Sequence, residues 1–355
     1  MSPLSAGNDN MRGVYLTGHG GPEVLEVRDD IPCPIPGPRD VLVRVGAAGV
    51  NNTDINIRLA WYSKGNADDE DASWSGKPME FPRIQGADVC GEITAVGRDV
   101  DPSRVGERVL IDPCLFEHDG IALSPPWYFG AECSGGFAEY TTVAAGQAHC
   151  INSPLSDIEL ASFPCSYSTA ENLLTRASLA QGESVLITGA SGGVGSAAVQ
   201  LAKARGAHVI AVTSEAKAQT LRELGADQVV SRDQPLTTAL PGNSVDVVID
   251  LVGGPQWPQL LELLRQGGRY AVSGAIGGAM VELDLRTLYL KDLSFFGCTV
   301  LEPEVFPNLI RHIEQGNIVP LVAETFPLED IAKAQEMFQQ KSHVGKIVLS
   351  VSQTD

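Results

Sequence analysis

The run Gly189, Ala190, Ser191, Gly192, Gly193, Val194 and Gly195 is the stretch whose residue types and spacing most clearly suit a chemical task, and the task is phosphate binding. A turn with so few Cβ atoms bends sharply and brings its backbone close to a pyrophosphate, while the helix behind it offers unpaired N–H groups and the positive end of its dipole. A tight turn with no ligand has the same glycines, so the surroundings decide. Here a strand-like segment, residues 184–188, runs into the turn, and Val194, Ala198, Leu201 and Ala202 then mark one face of a helix. A second strand, HVIAVT, follows where a dinucleotide site requires it.

At the end of that second strand, an NAD site usually carries an acid for the adenosine ribose. This chain has Val212, Thr213 and Ser214, with Lys217 one helical turn on and Arg232 after the third strand. Hydroxyls beside cations suit a 2′-phosphate better than a 2′-hydroxyl, which favours NADP over NAD. Ser214 is equally able to cap a helix starting at Glu215, with Lys217 a solvated surface charge. The two roles are compatible.

The elements that must position these residues divide the chain. Residues 11–155 show short alternating runs broken by Gly and Pro, with Val41, Val43 and Val45 facing one way, and read as a mostly β domain. Residues 156–301 alternate apolar strands with helices in two successive sets, the second running VDVVIDL, a helix over 257–265, GRYAVSG and LSFFGCTV. That pattern predicts an α/β fold with a doubly wound parallel sheet. Residues 302–355 predict helices over 305–314 and 328–339 and a strand over 346–351, a tail expected to return to the first domain. Residues 1–10 are expected to be disordered. The polar stretch 61–80, with Asp68, Asp69, Glu70 and Asp71, reads as an exposed loop that would repel anionic substrates such as CoA thioesters if it lay near the site.

Composition narrows the partners. With 355 residues and 43% apolar content, the chain can bury an ordinary two-domain core. Its 44 acidic residues against 25 basic ones give a net charge of -19, which repels nucleic acid and anionic membranes. No signal peptide or membrane-spanning run is read, so the cytoplasm is the expected location. Seven cysteines without a CxxC pair encode neither a disulfide framework nor a structural zinc loop.

Several further stretches carry a family resemblance: GPEVLEV, GVNNTDINIR, IQGADVCGEITAVG, GGFAEY, the glycine turn, DLVGG and HVGKIVL. Together they resemble the medium-chain dehydrogenase/reductase superfamily, most of all its zinc-independent quinone-oxidoreductase branch. The resemblance implies a GroES-like catalytic domain, a Rossmann nucleotide domain and an active site in the cleft between them. Zinc-dependent members place a Cys where this chain has Asn51, and a His-Glu pair where it has Ala87 and Asp88. Cys165 falls at the third ligand position and reads as a small buried residue beside the nicotinamide, and Cys114 and Cys133 stand alone in the structural-zinc lobe. No metal is expected. Without zinc to stabilise an alkoxide, conjugated acceptors that spread the new charge are favoured, so the expectation is an NADPH-dependent reductase of a quinone or α,β-unsaturated carbonyl compound.

The same resemblance proposes the site residues. Asn51 matches the motif's Asn and could hydrogen-bond the substrate oxygen or the nicotinamide ribose, or merely satisfy a turn. Asp54 matches the motif's Asp, but it or Thr53 could simply cap a helix over 55–60. Tyr62 stands where relatives carry a proton-donating or quinone-stacking tyrosine, whose partner tyrosine is here replaced by Asn56. Thr169 matches a hydroxyl near the nicotinamide, and Gly274 is expected to let the chain pass close to it. The apolar strand LSFFGCTV predicts a homodimer, since relatives pair that edge. Two rivals stay open: a zinc-free alcohol or aldehyde dehydrogenase, and a non-catalytic NADPH-binding sensor.

Overall fold

A computed structural model describes residues 10–63, 73–76 and 78–351. The acidic run Asp68, Asp69, Glu70 and Asp71 and residues 1–9 of the stretch expected to be disordered lie outside the described residues. Asn10, the last of that stretch, is instead the first residue of strand Asn10–Leu16 and pairs with Pro32.

The chain forms two compact units, one of Met1–Cys165, Pro320–Ser342 and Lys346–Asp355, the other of Ser166–Val319 and His343–Gly345. In the first, the strand Asp40–Val50 is flanked by Asp88–Val96 and Lys346–Ser350 and also pairs with Tyr140–Ala144. Val41, Val43 and Val45 are fully buried, as the alternation predicts. They join Ile93, Ile347, Leu349 and the helix residues Ile331, Ala334 and Phe338 in one core. Each such aliphatic side chain contributes about 1.5–3 kcal/mol on burial. The tail strand is thus an integral part of this sheet. The helix expected over 328–339 is a 3-10 turn, Leu328–Asp330, leading into Ile331–Gln340.

The second unit holds a six-stranded parallel sheet in the order Gln228–Ser231, His208–Thr213, Ser184–Ile187, Val245–Asp250, Leu264–Val272, Ser294–Gly297. Strand order reverses at Ser184–Ile187, the topological switch point at which doubly wound sheets bind ligands. The helix predicted over 257–265 ends at Leu263, because Leu264 already pairs with Val245 ahead of a register shift.

The unit boundaries differ from the expected 155/156 and 301/302. Residues up to Val319 stay with the parallel sheet because side chains of its helices hold them. The Asn172 side chain donates to the Val300 carbonyl and accepts from the Glu302 N–H, while the Tyr167 hydroxyl and the Gln200 amide both donate to the Val319 carbonyl. Helix Val305–Glu314 therefore belongs to the second unit and not to the returning tail.

Candidate active site

In the first unit, strand register gathers three polar residues far apart in sequence. Gly49 pairs with Asp88, and Ile347 pairs with Val50, which sets Lys346 opposite Asn51. Gly49 is required there, since a Cβ would lie 2.5 Å from Asp88 Oδ2. Lys346 Nζ donates to Asp88 Oδ2 at 2.8 Å and to Asn51 Oδ1. Asn51 Nδ2 donates to the same Asp88 oxygen at 2.9 Å, and Asp88 Oδ1 accepts the Cys165 N–H at 2.5 Å. Cys165 lies in the first turn of helix Pro164–Arg176, so the carboxylate also faces a favourable dipole end. All three side chains are buried and their charges are paired, the condition under which buried charge is tolerated.

Asn51 follows strand Asp40–Val50 and caps helix Asn52–Arg58, where the cap was expected at Thr53 or Asp54 with the helix starting at 55. Asp54 sits inside the first turn, fully buried, and accepts the Asn51 N–H at 2.7 Å. Burial pushes its carboxyl up to about 7, with the Asn51 N–H pulling the other way and the neighbouring Asp88 adding to the rise. Tyr62 is half-buried; its hydroxyl donates to Thr53 Oγ1 at 3.4 Å and its ring meets Trp61 edge-on. Burial raises its phenol above the ordinary range.

Tyr62 and Trp74 pack against an apolar cluster of Leu16, Ile57, Met79, Ala87, Tyr128, Ala131 and Cys165. Within it the Tyr128 hydroxyl donates to Cys165 Sγ at 2.9 Å, and the Tyr128 ring lies 5.0 Å from that of Trp74. Burial, with the Asp88 charge second, pushes the Cys165 thiol up to about 12, which keeps it protonated at neutral pH. Burial likewise holds the Tyr128 phenol well above its ordinary range.

In the second unit the glycine turn has the geometry its sequence implies. Gly189 adopts φ +58°, a conformation that disfavours side chains, and a Cβ on Gly195 would lie 2.3 Å from the Gly189 carbonyl oxygen. Gly192 caps helix Gly193–Ala204, whose first N–H groups, those of Gly193, Val194 and Gly195, have no partner inside the helix. The Ser191 carbonyl accepts the Gly345 N–H at 3.4 Å. Asp250, from DLVGG, pins the neighbouring loop: Oδ1 accepts Thr188 Oγ1 at 2.6 Å and the N–H groups of Val252 and Gly253, and Oδ2 accepts the Tyr270 hydroxyl. This cradle fits the pyrophosphate of a dinucleotide.

Around the second strand, Thr213 is buried and accepts the Arg232 N–H through its carbonyl. Ser214 precedes the 3-10 turn Glu215–Lys217 but makes no side-chain capping bond, so the capping role considered for it is not realised. Lys217 Nζ donates to the His343 carbonyl at 2.8 Å, and burial, then the nearby Arg232, lowers its pKa. The Arg232 side chain is largely exposed. Thr169 lies half-buried in helix Pro164–Arg176. The close approach that Gly274 permits is to the Leu251 backbone, whose oxygen would stand 2.5 Å from an added Cβ.

Zinc does not fit the residues at the family's ligand positions. Ala87 has no donor atom, both polar atoms of the Asn51 amide are engaged by Asp88 and Lys346, and Asp88 is paired with the Lys346 ammonium. A catalytic zinc needs three protein ligands besides its open position. Among the described residues no group of three His, Cys, Asp or Glu side chains stands close enough to hold a metal ion.

The sheet order and the glycine cradle define a protein of the doubly wound, dinucleotide-binding class that also carries a β-rich unit. Residues 37–154 match the alcohol dehydrogenase GroES-like domain, and residues 193–315 match the zinc-binding dehydrogenase family. The human quinone oxidoreductase is 30% identical over 98% of this chain and 99% of its own length. The acryloyl-coenzyme A reductase of Metallosphaera sedula is 30% identical over 96% of this chain and 100% of its own. A solved structure from Sinorhizobium meliloti 1021, provisionally classed as an alcohol dehydrogenase, is 43% identical, covers 98% of both chains and superposes with a TM-score of 0.88. The chain belongs to the medium-chain dehydrogenase/reductase superfamily, and it is an oxidoreductase that uses a nicotinamide cofactor. Among the described residues no helix is long and apolar enough to cross a membrane.

Two residues of this arrangement escape a reading by motif. Lys346 was visible only as part of HVGKIVL, and its contact with Asn51 follows from strand pairing across the whole chain. Tyr128 ends strand Ile121–Tyr128 in a stretch with no motif, and nothing in the sequence signals its contact with Cys165.

Proposed function

We propose that the protein reduces quinones or α,β-unsaturated carbonyl compounds with NADPH and needs no zinc. The observation that carries this reading is the donor set at the family's metal positions, where Asn51, Ala87 and Asp88 are engaged with Lys346 or lack a donor atom. Without a Lewis acid, an acceptor that delocalises its own developing charge is reduced most easily. Relatives named for a quinone and for acryloyl-coenzyme A, both conjugated acceptors, support the same class.

A bound reduced nicotinamide supplies the hydride. The chain's own residues hold it: the N–H groups of Gly193, Val194 and Gly195 and the bare backbone of Gly189, Ser191 and Gly192 take the pyrophosphate, with Thr169 and Gly274 toward the nicotinamide. The cations Lys217 and Arg232, with Thr213 and Ser214 at the end of the second strand, suit a 2′-phosphate on a chain of net charge -19. In the first unit Asn51 and Asp54 shape the helix start, which positions Tyr62 near the acceptor. Orientation supplies most of the acceleration.

A homodimer accompanies this reading. Strand Ser294–Gly297 is an open sheet edge, and Ile276, Met280, Leu285, Tyr289 and Leu290 are exposed on the same unit, Met280 at 92%. Such a combination of bare edge and apolar surface marks an association site. Sedimentation of wild type as a dimer and of Leu290→Glu as a monomer checks it.

The function is tested by titrating the protein with NADPH and NADH and following cofactor oxidation against 1,4-benzoquinone, 2-cyclohexenone and a simple aldehyde. Tighter NADPH binding with turnover of the first two acceptors is the expected result. Turnover of the aldehyde alone would replace this reading with a zinc-free alcohol dehydrogenase, and binding without turnover with a sensor.

A further inference from the structure

The geometry points to Tyr128 as a catalytic hydrogen-bond donor to the acceptor oxygen, an inference that rests on the reductase reading above. The Tyr128 hydroxyl is a strong donor resting on a weak acceptor, the Cys165 sulfur at 2.9 Å. Exchanging that sulfur for a carbonyl oxygen strengthens the bond, and exchanging it for an oxygen that is gaining negative charge strengthens it further. The donor is therefore worth more as the reaction proceeds than in the resting enzyme, which is the property that lowers a barrier.

The ring is held in place for this task. Tyr128 closes strand Ile121–Tyr128, pairs with Cys114, and lies 5.0 Å from the Trp74 ring at an interplanar angle of 30°. Trp74 and Tyr62, both half-buried, form the margin of the apolar cluster containing Tyr128, Ala87 and Cys165. A flat conjugated acceptor suits contact with these aromatic rings, and under the proposal its oxygen takes the Tyr128 hydrogen bond now given to sulfur. The hydroxyl of Tyr62 is bonded to Thr53 oxygen at 3.4 Å, which leaves Tyr128 as the tyrosine of this cluster whose hydroxyl rests on sulfur.

The test compares Tyr128→Phe, Cys165→Ala and wild type. Tyr128→Phe is expected to lose about 100-fold in kcat, as removal of a single oxyanion donor does, with a larger loss for 2-cyclohexenone than for 1,4-benzoquinone because the enolate is the more basic product. Cys165→Ala, which removes the resting acceptor of the Tyr128 hydroxyl, is expected to lose at least about tenfold less kcat than Tyr128→Phe. In cofactor-free protein, tryptophan fluorescence should report weaker hydroquinone binding in Tyr128→Phe, with an unchanged melting temperature. Equal losses in the two variants would show that Tyr128 acts only through Cys165 and would overturn the proposal, as would an unaltered kcat in Tyr128→Phe. If wild type reduces neither acceptor, the reductase reading fails and this one with it; if wild type reduces both and Tyr128→Phe matches it, only this one fails.

Discussion

The two units build their sites by opposite means. In the first, Asn51, Asp88 and Lys346 are charged or polar side chains brought together by strand register and sealed from water, with Asp88 and Lys346 at 2.8 Å. In the second, the phosphate cradle is backbone, made by residues chosen for the side chains they lack, such as Gly189 and Gly195. A site of buried charges is coupled to folding, because each group depends on its partner to remain buried. A site of bare backbone is coupled to the ligand, since its N–H groups are incompletely satisfied until an anion arrives. Mutations in the Asn51, Asp88 and Lys346 network should therefore register as stability, and those in the glycine cradle as affinity.

The largest expected effect is at Lys346. Lys346→Met leaves Asp88 buried without its cation and is expected to cost about 3–5 kcal/mol in urea unfolding, while the double variant with Asp88→Asn recovers most of it. A single variant as stable as wild type would break the comparison at its strongest point.

Asp112 offers a pH version of the same idea. It accepts the Cys114 N–H at 2.9 Å, yet burial pushes its carboxyl up to about 7. The folded state therefore holds this proton more tightly than the unfolded chain, whose carboxyl titrates near its ordinary value. Its effect on stability is a loss that develops as pH rises from about 4 to about 7, the sign set by the folded state binding more protons across that window. Asp54, raised the same way, adds to the loss. Thermal melts from pH 5 to pH 8 should show wild type declining more steeply than Asp112→Asn, on the order of a few degrees.

In the second unit, Gly195→Val places a side chain against the Gly189 carbonyl and is expected to weaken NADPH binding by about 100-fold. Equilibrium fluorescence titration measures it. The smallest effect is at the adenosine end: Lys217→Ala should raise the NADPH Kd by about tenfold and leave the NADH Kd unchanged, since only the former carries a 2′-phosphate. Equal losses for both cofactors would remove the case for NADPH.

The same contrast explains what was legible in the sequence. The parallel sheet, its strands and its glycine turn are local signals: alternation, periodicity and missing Cβ atoms are written in adjacent residues. The unit boundary at Val319 was not legible, because it depends on Asn172, Tyr167 and Gln200 reaching across the chain. Asn51 was singled out from its motif, but its capture by Asp88 and Lys346 needed the register of a strand almost three hundred residues away, since the Lys346–Asn51 contact spans a separation of 295. Tyr128 was invisible because its significance lies in one sulfur contact and one aromatic neighbour, neither of them local.

The account's central claim, reduction without zinc, is tested most directly by the rate of NADPH oxidation by 1,4-benzoquinone before and after exhaustive dialysis against a chelator, with metal content measured on the same samples. An unchanged rate in protein holding only substoichiometric zinc is the predicted result. A rate that disappears on dialysis and returns with added Zn²⁺ would contradict it.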